Sequence, residues 1–180
     1  MTDFVGLVLA AGEGKRFGGP KAPYVLGDER LVDRAVRVLR EAGAAEVFVV
    51  LGAWIDEVPH AQVIENPDWK TGMASSLTSG LTQITHNSSH DRVLVTLLDL
   101  PGLTSEAIER VAHDDSSISV ATYGGTRGHP VAFNRQHWGE LASSVSGDAG
   151  ARHFLATHND EVHEIEVSDV ASGDDLDFRP

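Results

Sequence analysis

Four glycines and three cations crowd together just after the first apolar run of the chain. The glycines lie between positions 12 and 19, and Lys15, Arg16 and Lys21 lie among them or directly after them. The whole chain has fourteen Lys and Arg and a formal net charge of −13. Glycine lets backbone N–H groups approach a ligand closely, and cations match an anionic ligand in charge. The segment predicts a polyphosphate site. A tight turn with solvated basic residues is the alternative.

Asp99 is a second residue whose position could do chemistry. It follows the apolar run from Arg92 to Leu98, which predicts a buried strand. A carboxylate at the end of a strand can hold a hard divalent cation against phosphate oxygens. The alternative is an aspartate that caps a helix or stabilises a turn before Pro101.

The apolar pattern predicts the elements that would bring these groups together. We expect strands at residues 4–10, 46–51, 61–65, 92–98, 117–122, 129–133 and 161–167. We expect helices at residues 31–42, 73–84, 105–113 and 148–158, and a short helix after Asn134. Strands that alternate with helices imply a mostly parallel sheet, whose ligands bind beyond the carboxyl ends of the strands. The loop after Ala11, residues 65–76 and residues 99–101 should therefore meet in one crevice.

The composition predicts one globular domain spanning residues 1–180. The chain is 41% hydrophobic and 23% charged, and both values are ordinary for a globular protein. It has no cysteine, which excludes disulfides, thiolate zinc sites and a catalytic thiol, and which fits a cytoplasmic location. No apolar run approaches the ~18 residues of a membrane span, so no membrane partner is expected. The negative net charge argues against a nucleic acid partner.

Two common phosphate-binding motifs do not match the glycine-rich segment. The dinucleotide fingerprint G-x-G-x-x-G fails because Phe17 stands in place of the third glycine. The P-loop fails because Arg16 follows Gly14-Lys15, which leaves no hydroxyl for magnesium at that position. A polyphosphate loop of another type is therefore indicated.

Small residues open the helix predicted around Met73. Gly72, Ser75 and Ser76 lie at its start, where a helix presents free N–H groups and a positive potential. These residues could bind the base edge or a phosphate of a ligand. A simply capped helix is the alternative.

The segment LAAGEGKRFGGPK, from Leu9 to Lys21, resembles the L-A-[AG]-G-x-x-x-R-[MF]-G-x-x-K signature of nucleotidyltransferases. Within this group the chain resembles the molybdenum cofactor cytidylyltransferases and other MobA-like NTP transferases. Four more motifs carry the resemblance: ENPDWKTGMASSLTSGL (65–81), LLDLPGL (97–103), RGHPVAF (127–133) and SGDAGAR (146–152). The resemblance implies an α/β class and a three-layer Rossmann-like nucleotide-diphospho-sugar transferase fold with a mostly parallel mixed sheet.

The resemblance also implies a reaction, the Mg²⁺-dependent transfer of CMP from CTP to the terminal phosphate of molybdopterin. CTP is favoured over GTP because Ala11 stands where the related guanylyltransferases have glycine. Arg16, Lys21 and Asp99 would be catalytic. The nucleotide would contact Leu9, Ala10, Ala11, Gly12, Gly14, Lys15, Arg16, Lys21, Gly72, Ser75 and Ser76.

The resemblance places the metal on Asp99 and on a second acid near the end of the sequence. Residues 173–180, GDDLDFRP, loosely match the family ending D-I-D-T-P-E-D, with Asp175 and Asp177 on its two acids. Asp175 is the second metal candidate, and an acidic tail in solvent is the alternative. The second substrate would lie near His129, Asp148 and Arg152.

Two differences from the family pattern keep other functions open. Leu98 stands where the family has glycine, and Phe178 replaces a threonine. One alternative is a nucleotidyltransferase for another phosphorylated acceptor, such as a sugar phosphate. A second is a non-catalytic carrier of the molybdenum cofactor or of a nucleotide, docking to a molybdenum enzyme. Oxidoreductases also occur among the relatives, but this chain lacks the dinucleotide fingerprint that would support one.

Overall fold

A computed structural model describes residues 3–180. The strands are β1 (Val5–Leu9), β2 (Val25–Leu26), β3 (Glu29–Arg30), β4 (Glu46–Leu51), β5 (Gln62–Glu65), β6 (Arg92–Leu97), β7 (Ile118–Tyr123), β8 (Thr126–Asn134) and β9 (Val162–Glu166). The helices are α1 (Leu31–Glu41), α2 (Met73–Asn87), α3 (Ser105–Ala112), α4 (Trp138–Ser144) and α5 (Arg152–Thr157). Short 3₁₀ turns lie at Trp69–Thr71, Arg135–His137 and Asn159–Glu161. None of the helices in residues 3–180 is long and apolar enough to cross a membrane.

Seven strands form one sheet in the order β5-β4-β1-β6-β8-β7-β9. Strand β1 pairs in parallel with β4 on one side and with β6 on the other, and β5 and β9 also pair in parallel with their neighbours. Strand β8 runs antiparallel to both β6 and β7. The expectation of a mostly parallel, mixed sheet is therefore confirmed.

Helices cover both faces of this sheet. Residues of α1 and α3 pack on one face, and residues of α2, α4 and α5 pack on the other. All five residues of β1, VGLVL, are buried, because a central parallel strand has no face exposed to water. The fold is therefore three-layered, as expected.

Two glycines allow helices to approach β1 closely from opposite sides. A Cβ on Gly6 of β1 would lie 2.9 Å from a methyl carbon of Leu39 in α1. A Cβ on Gly80 of α2 would lie 2.7 Å from a methyl carbon of Leu7. Strand β1 is thus held tightly between two helices, and this fixes the base of the glycine-rich loop that follows it.

The start of α5 and the β2–β3 hairpin differ from the sequence-based expectation. The helix predicted from Asp148 begins at Arg152, because Gly147 and Gly150 adopt left-handed backbone angles, φ +58° and +54°. Strands β2 and β3 form a two-residue hairpin that is too short to show a periodic pattern. The Thr104 side chain caps α3 by accepting a hydrogen bond from the Ala107 N–H at 3.2 Å.

Candidate active site

The sheet topology brings the glycine-rich loop and Asp99 together. The loop follows β1 and Asp99 follows β6, and these neighbouring parallel strands pair in register, with Leu9 opposite Leu97. The Lys21 Nζ lies 2.7 Å from the Asp99 Oδ2, and the two side chains are only 15% and 19% exposed. Lys21 and Asp99, both predicted from the sequence to take part in the chemistry, therefore form a half-buried ion pair.

The glycine-rich loop is closed by Gly14. Its carbonyl oxygen accepts hydrogen bonds from the N–H groups of Gly18 and Gly19, at 2.8 and 3.1 Å. Gly14 has φ +63°, and a Cβ there would lie 2.0 Å from the Gly19 carbonyl oxygen. Gly12 has ordinary backbone angles, is exposed, and would place a Cβ in open space. The loop thus needs glycine at 14 for its own geometry but not at 12, and Gly12 remains a nucleotide-contact prediction.

The segment near the end of the sequence crosses this site. The Leu176 N–H donates to the Asp99 carbonyl oxygen at 2.9 Å. The Asp177 carboxylate lies 3.1 Å from the Arg16 guanidinium and 3.6 Å from the Lys21 Nζ. Arg179, which sequence analysis missed, donates to the carbonyl oxygens of Phe17 and Gly18.

The surroundings of Asp175, in the same segment, disfavour its ionised form. Burial and the nearby charges of Asp99 and Asp177 raise its pKa above the ordinary value, and Lys21 and Arg16 only partly oppose this. Like charges that share a site favour protonation or a bound cation. Asp177 differs from Asp175 in that it is paired with Arg16 and Lys21.

The donor set fits a divalent cation that is completed by the substrate. Among residues 3–180, no group of three or more His, Asp or Glu side chains has the geometry of a metal site. Mg²⁺ commonly uses one or two protein carboxylates and fills its remaining positions with phosphate oxygens and water. Asp99 and Asp175 match that pattern, and both remain metal-ligand predictions.

The burial of Asp175 and its repulsion by Asp99 and Asp177 give a measurable expectation. Asp175→Asn should raise the melting temperature of the metal-free protein by roughly 1–3 °C, a shift typical of a small stability gain in a domain of this size. Asp177→Asn is the matched control and should lower the melting temperature, because it breaks the contacts with Arg16 and Lys21. Thermal unfolding in EDTA measures both. Destabilisation by Asp175→Asn would contradict the electrostatic picture.

His129 lies near Asp99 and is held neutral. Burial lowers the pKa of His129 to about 4, although the charge of Asp99 acts in the opposite direction. The His129–Pro130 peptide bond is cis, and the His129 carbonyl oxygen accepts a hydrogen bond from the Tyr123 hydroxyl at 2.7 Å. At neutral pH the imidazole can therefore form hydrogen bonds with a substrate but carries no charge.

The start of α2 is engaged mainly with protein groups. The Ala74 N–H donates to the Gly147 carbonyl oxygen at 2.9 Å, and a Cβ on Gly72 would collide with the Gly147 backbone at 2.5 Å. The hydroxyls of Ser75 and Ser76 both accept hydrogen bonds from the side-chain amide of Asn66. These contacts lock residues 66–76 against the loop around Gly147.

Asp148, one of the candidates for the second substrate, lies at this junction. A carboxylate oxygen of Asp148 lies 2.8 Å from where a Cβ of Gly72 would be, and its charge also acts on Lys15. Arg152 is exposed at the first turn of α5. Beside the junction is a groove of about 450 Å³, in which Asp68 is the charged residue among those that line it. The polar residues of the groove are mostly uncharged, so it suits hydrogen-bonding groups of a ligand.

Comparison with known proteins identifies the family. Residues 6–162 match the family model of the MobA-like NTP transferase domain. The chain belongs to this family. The MobA-like chain is 38% identical to nicotine blue oxidoreductase of Paenarthrobacter nicotinovorans, over 96% of this chain and 91% of the relative. It is also 56% identical to a probable molybdenum cofactor guanylyltransferase of Opitutus terrae over 45 residues, which are 25% of this chain and 22% of the relative.

A solved structure shares the fold. The MobA-like chain superimposes with a TM-score of 0.82 and 26% identity on a crystal structure from Mycobacterium sp. strain JC1, a homolog of Mycobacterium tuberculosis Rv0371c. The match covers 97% of this chain and 90% of that one. The expected family and the Rossmann-like nucleotidyltransferase fold are both confirmed.

Proposed function

We propose that this chain is a single nucleotidyltransferase domain that moves CMP from CTP to the terminal phosphate of molybdopterin and releases pyrophosphate. The observation that carries the proposal is the convergence of the glycine-rich loop, Lys21 and Arg16 with the carboxylates of Asp99 and Asp175. Membership of the MobA-like family supports the reaction type. The cysteine-free composition is consistent with action in the cytoplasm.

In the proposed reaction the protein contributes by aligning the two substrates and by stabilising the charge on the phosphates. The loop amides and Lys15 hold the triphosphate, and Arg16 and Lys21 stabilise the charge that moves onto pyrophosphate. Each charge-assisted contact contributes about 1.5–3 kcal/mol. A Mg²⁺ ion held by Asp99 and Asp175 would neutralise the phosphates. No covalent intermediate with the protein is needed, because the two substrates are aligned for direct transfer.

Arg16 and Lys21 differ in how freely they could reach a phosphate group. Both are near the Asp177 carboxylate, which occupies a position that a phosphate group would take. Arg16 is 70% exposed and is free to turn toward the ligand, whereas Lys21 is enclosed and already in place. Arg16 is therefore the more adaptable of the two phosphate contacts.

The choice of CTP is supported by Ala11. Its side chain is 6% exposed and packs at the base of the loop, where the guanylyltransferase pattern has glycine. If the base of the nucleotide lies against Ala11, the added methyl group would leave less room for a purine than for a pyrimidine. The partial relative named guanylyltransferase makes GTP the donor to compare.

Gly12→Ala tests for close approach of the nucleotide. The fold leaves open space for the new methyl group, so the melting temperature should change by no more than about 1 °C. The KM for CTP should rise about tenfold or more, because the methyl group blocks a close backbone contact. Gly139→Ala, in α4 and also with free space, is the control and should alter neither quantity adversely. A normal KM for Gly12→Ala would remove this residue from the site.

Calorimetric titration with the four NTPs, with Mg²⁺ and with EDTA, tests the donor and the metal together. The proposal predicts a preference for CTP that is lost in EDTA. Pyrophosphate release is then measured with molybdopterin and with sugar phosphates as acceptors. Binding without release would support the carrier alternative, and release only with a sugar phosphate would reassign the acceptor.

The relative named nicotine blue oxidoreductase favours one second candidate, an oxidoreductase that acts on an organic dye. Such a reaction needs a separate electron donor, for which a reduced nicotinamide dinucleotide is the natural class. Phe17 in place of the fingerprint glycine argues against dinucleotide binding in the usual manner. Oxidation of NADH or NADPH coupled to dye reduction, with no pyrophosphate release from any NTP, would establish this candidate.

A further inference from the structure

Arg179 holds the tip of the glycine-rich loop from outside. Its Nε donates to the Phe17 carbonyl oxygen at 3.1 Å, and its Nη2 donates to the Gly18 carbonyl oxygen at 3.4 Å. The guanidinium also lies over the rings of Phe17 and Tyr24, 5.3 and 5.6 Å from their centres. One side chain thus contacts both the backbone and the aromatic base of the loop.

The two carbonyl groups belong to the part of the loop that most needs support. Gly18 and Gly19 have φ +88° and +146°, and they are tied back to Gly14 by their N–H groups. Glycine gains more backbone conformational entropy than other residues when it is freed from a fixed conformation. A planar guanidinium offers two donors in a fixed geometry, so it restrains two successive peptide groups at once.

The aromatic contacts set the position of the guanidinium itself. Phe17 is buried at 2% exposure, and its ring meets that of Tyr24 edge-to-face with centres 4.8 Å apart. Lys21, at the carboxyl end of the loop, has its Nζ 5.9 Å from the Phe17 ring centre. The Phe17 ring is therefore contacted by two cations, one from the catalytic ion pair and one from Arg179.

We propose that Arg179 is a positioning residue that fixes the glycine-rich loop in the conformation that accepts nucleotide. The part that concerns nucleotide rests on the proposed function. Arg179 touches no reacting atom in this scheme. It acts by raising the fraction of molecules whose loop is already formed, and apparent affinity scales with that fraction. Loss of Arg179 should therefore raise the KM for CTP and leave kcat nearly unchanged.

Hydrogen exchange on the nucleotide-free protein tests the loop directly. In Arg179→Ala, the amides of Gly18 and Gly19 should exchange about tenfold faster than in the wild type, with the melting temperature nearly unchanged. Arg179→Lys keeps the charge and the aromatic contact but loses the planar pair of N–H donors. It should therefore give an intermediate exchange rate.

Two control variants test whether the effect of Arg179→Ala comes from disturbing the neighbouring segment or from removing a positive charge. Phe178→Ala changes the neighbouring exposed side chain without touching the loop carbonyls. Arg110→Ala removes an equal charge from α3, where Arg110 pairs with Glu106 and Asp169. Neither should alter exchange at Gly18 and Gly19.

Steady-state kinetics supply the second measurement. Arg179→Ala should raise the KM for CTP, by at most the factor by which exchange at Gly18 and Gly19 increases, with kcat within about twofold of the wild type and partial recovery in Arg179→Lys. Unchanged exchange at Gly18 and Gly19 would overturn the inference, and so would faster exchange with an unchanged KM. A wild-type protein that uses no nucleotide would refute the proposed function instead, and the exchange rates alone would then decide whether Arg179 holds the loop.

Discussion

Asp99→Asn is expected to lower the rate of pyrophosphate release by about 10²–10³, the usual cost of losing one preorganised electrostatic group. The amide keeps the size of the side chain, and its oxygen can still accept the hydrogen bond from Lys21. What is lost is the negative charge that would hold the cation against the phosphates. The fall should therefore appear in kcat, and raising the Mg²⁺ concentration should recover part of it.

Asp28→Asn is the matched control for this change. Asp28 is an exposed acid in the turn between β2 and β3, so the same loss of charge occurs away from the crevice. Its turnover should stay within about twofold of the wild type. If Asp99→Asn released pyrophosphate at the wild-type rate, Asp99 would have no place in the reaction and the metal site would have to be sought elsewhere.

Gly14→Ala is expected to lower turnover by at least about 10², because it displaces the groups that would align the triphosphate. Two effects combine at this position. A side chain at φ +63° is strained by about 1–2 kcal/mol, and the Cβ would lie 2.0 Å from the Gly19 carbonyl oxygen. Backbone atoms cannot rotate away as a flexible side chain can, so the loop itself has to open.

Gly18→Ala separates the cost of a left-handed backbone angle from the cost of the steric clash that Gly14→Ala also causes. Gly18 also has a left-handed backbone, φ +88°, but a Cβ there would meet no atom within 4 Å. It should cost only the strain, about 1–2 kcal/mol of stability, and leave the loop closed. Thermal unfolding and pyrophosphate release are measured on both variants. Equal losses of activity would show that the contact between Gly14 and Gly19 is not what shapes the loop.

Much of the fold follows from local pattern. The run VGLVL of β1 predicts a buried parallel strand because every residue in it is apolar or glycine, and the structure buries all five. The start of α5 was predicted wrongly because Asp148 is a good N-cap residue in isolation. Gly150, inside the predicted helix, was the available warning, since glycine weakens a helix and adopts the left-handed backbone that ends one.

Only some contacts of the candidate site could be predicted from the sequence. Once β1 and β6 are neighbours, the pairing of Lys21 with Asp99 follows from where the strands end. The contacts of Arg16 with Asp177 and of Arg179 with Phe17 join residues that are 161 and 162 positions apart. No local periodicity reports such contacts, because they depend on the path of an extended segment with no helix or strand of its own.

That extended segment has a practical consequence for handling the protein. Pro180 lies one residue beyond Arg179, so an affinity tag fused there would emerge beside the glycine-rich loop. Phe4 leads into the amino end of β1, on the far edge of the sheet from Leu9 and its loop. Kinetic constants from proteins tagged after Pro180 should therefore be compared with those of a cleaved, tag-free sample.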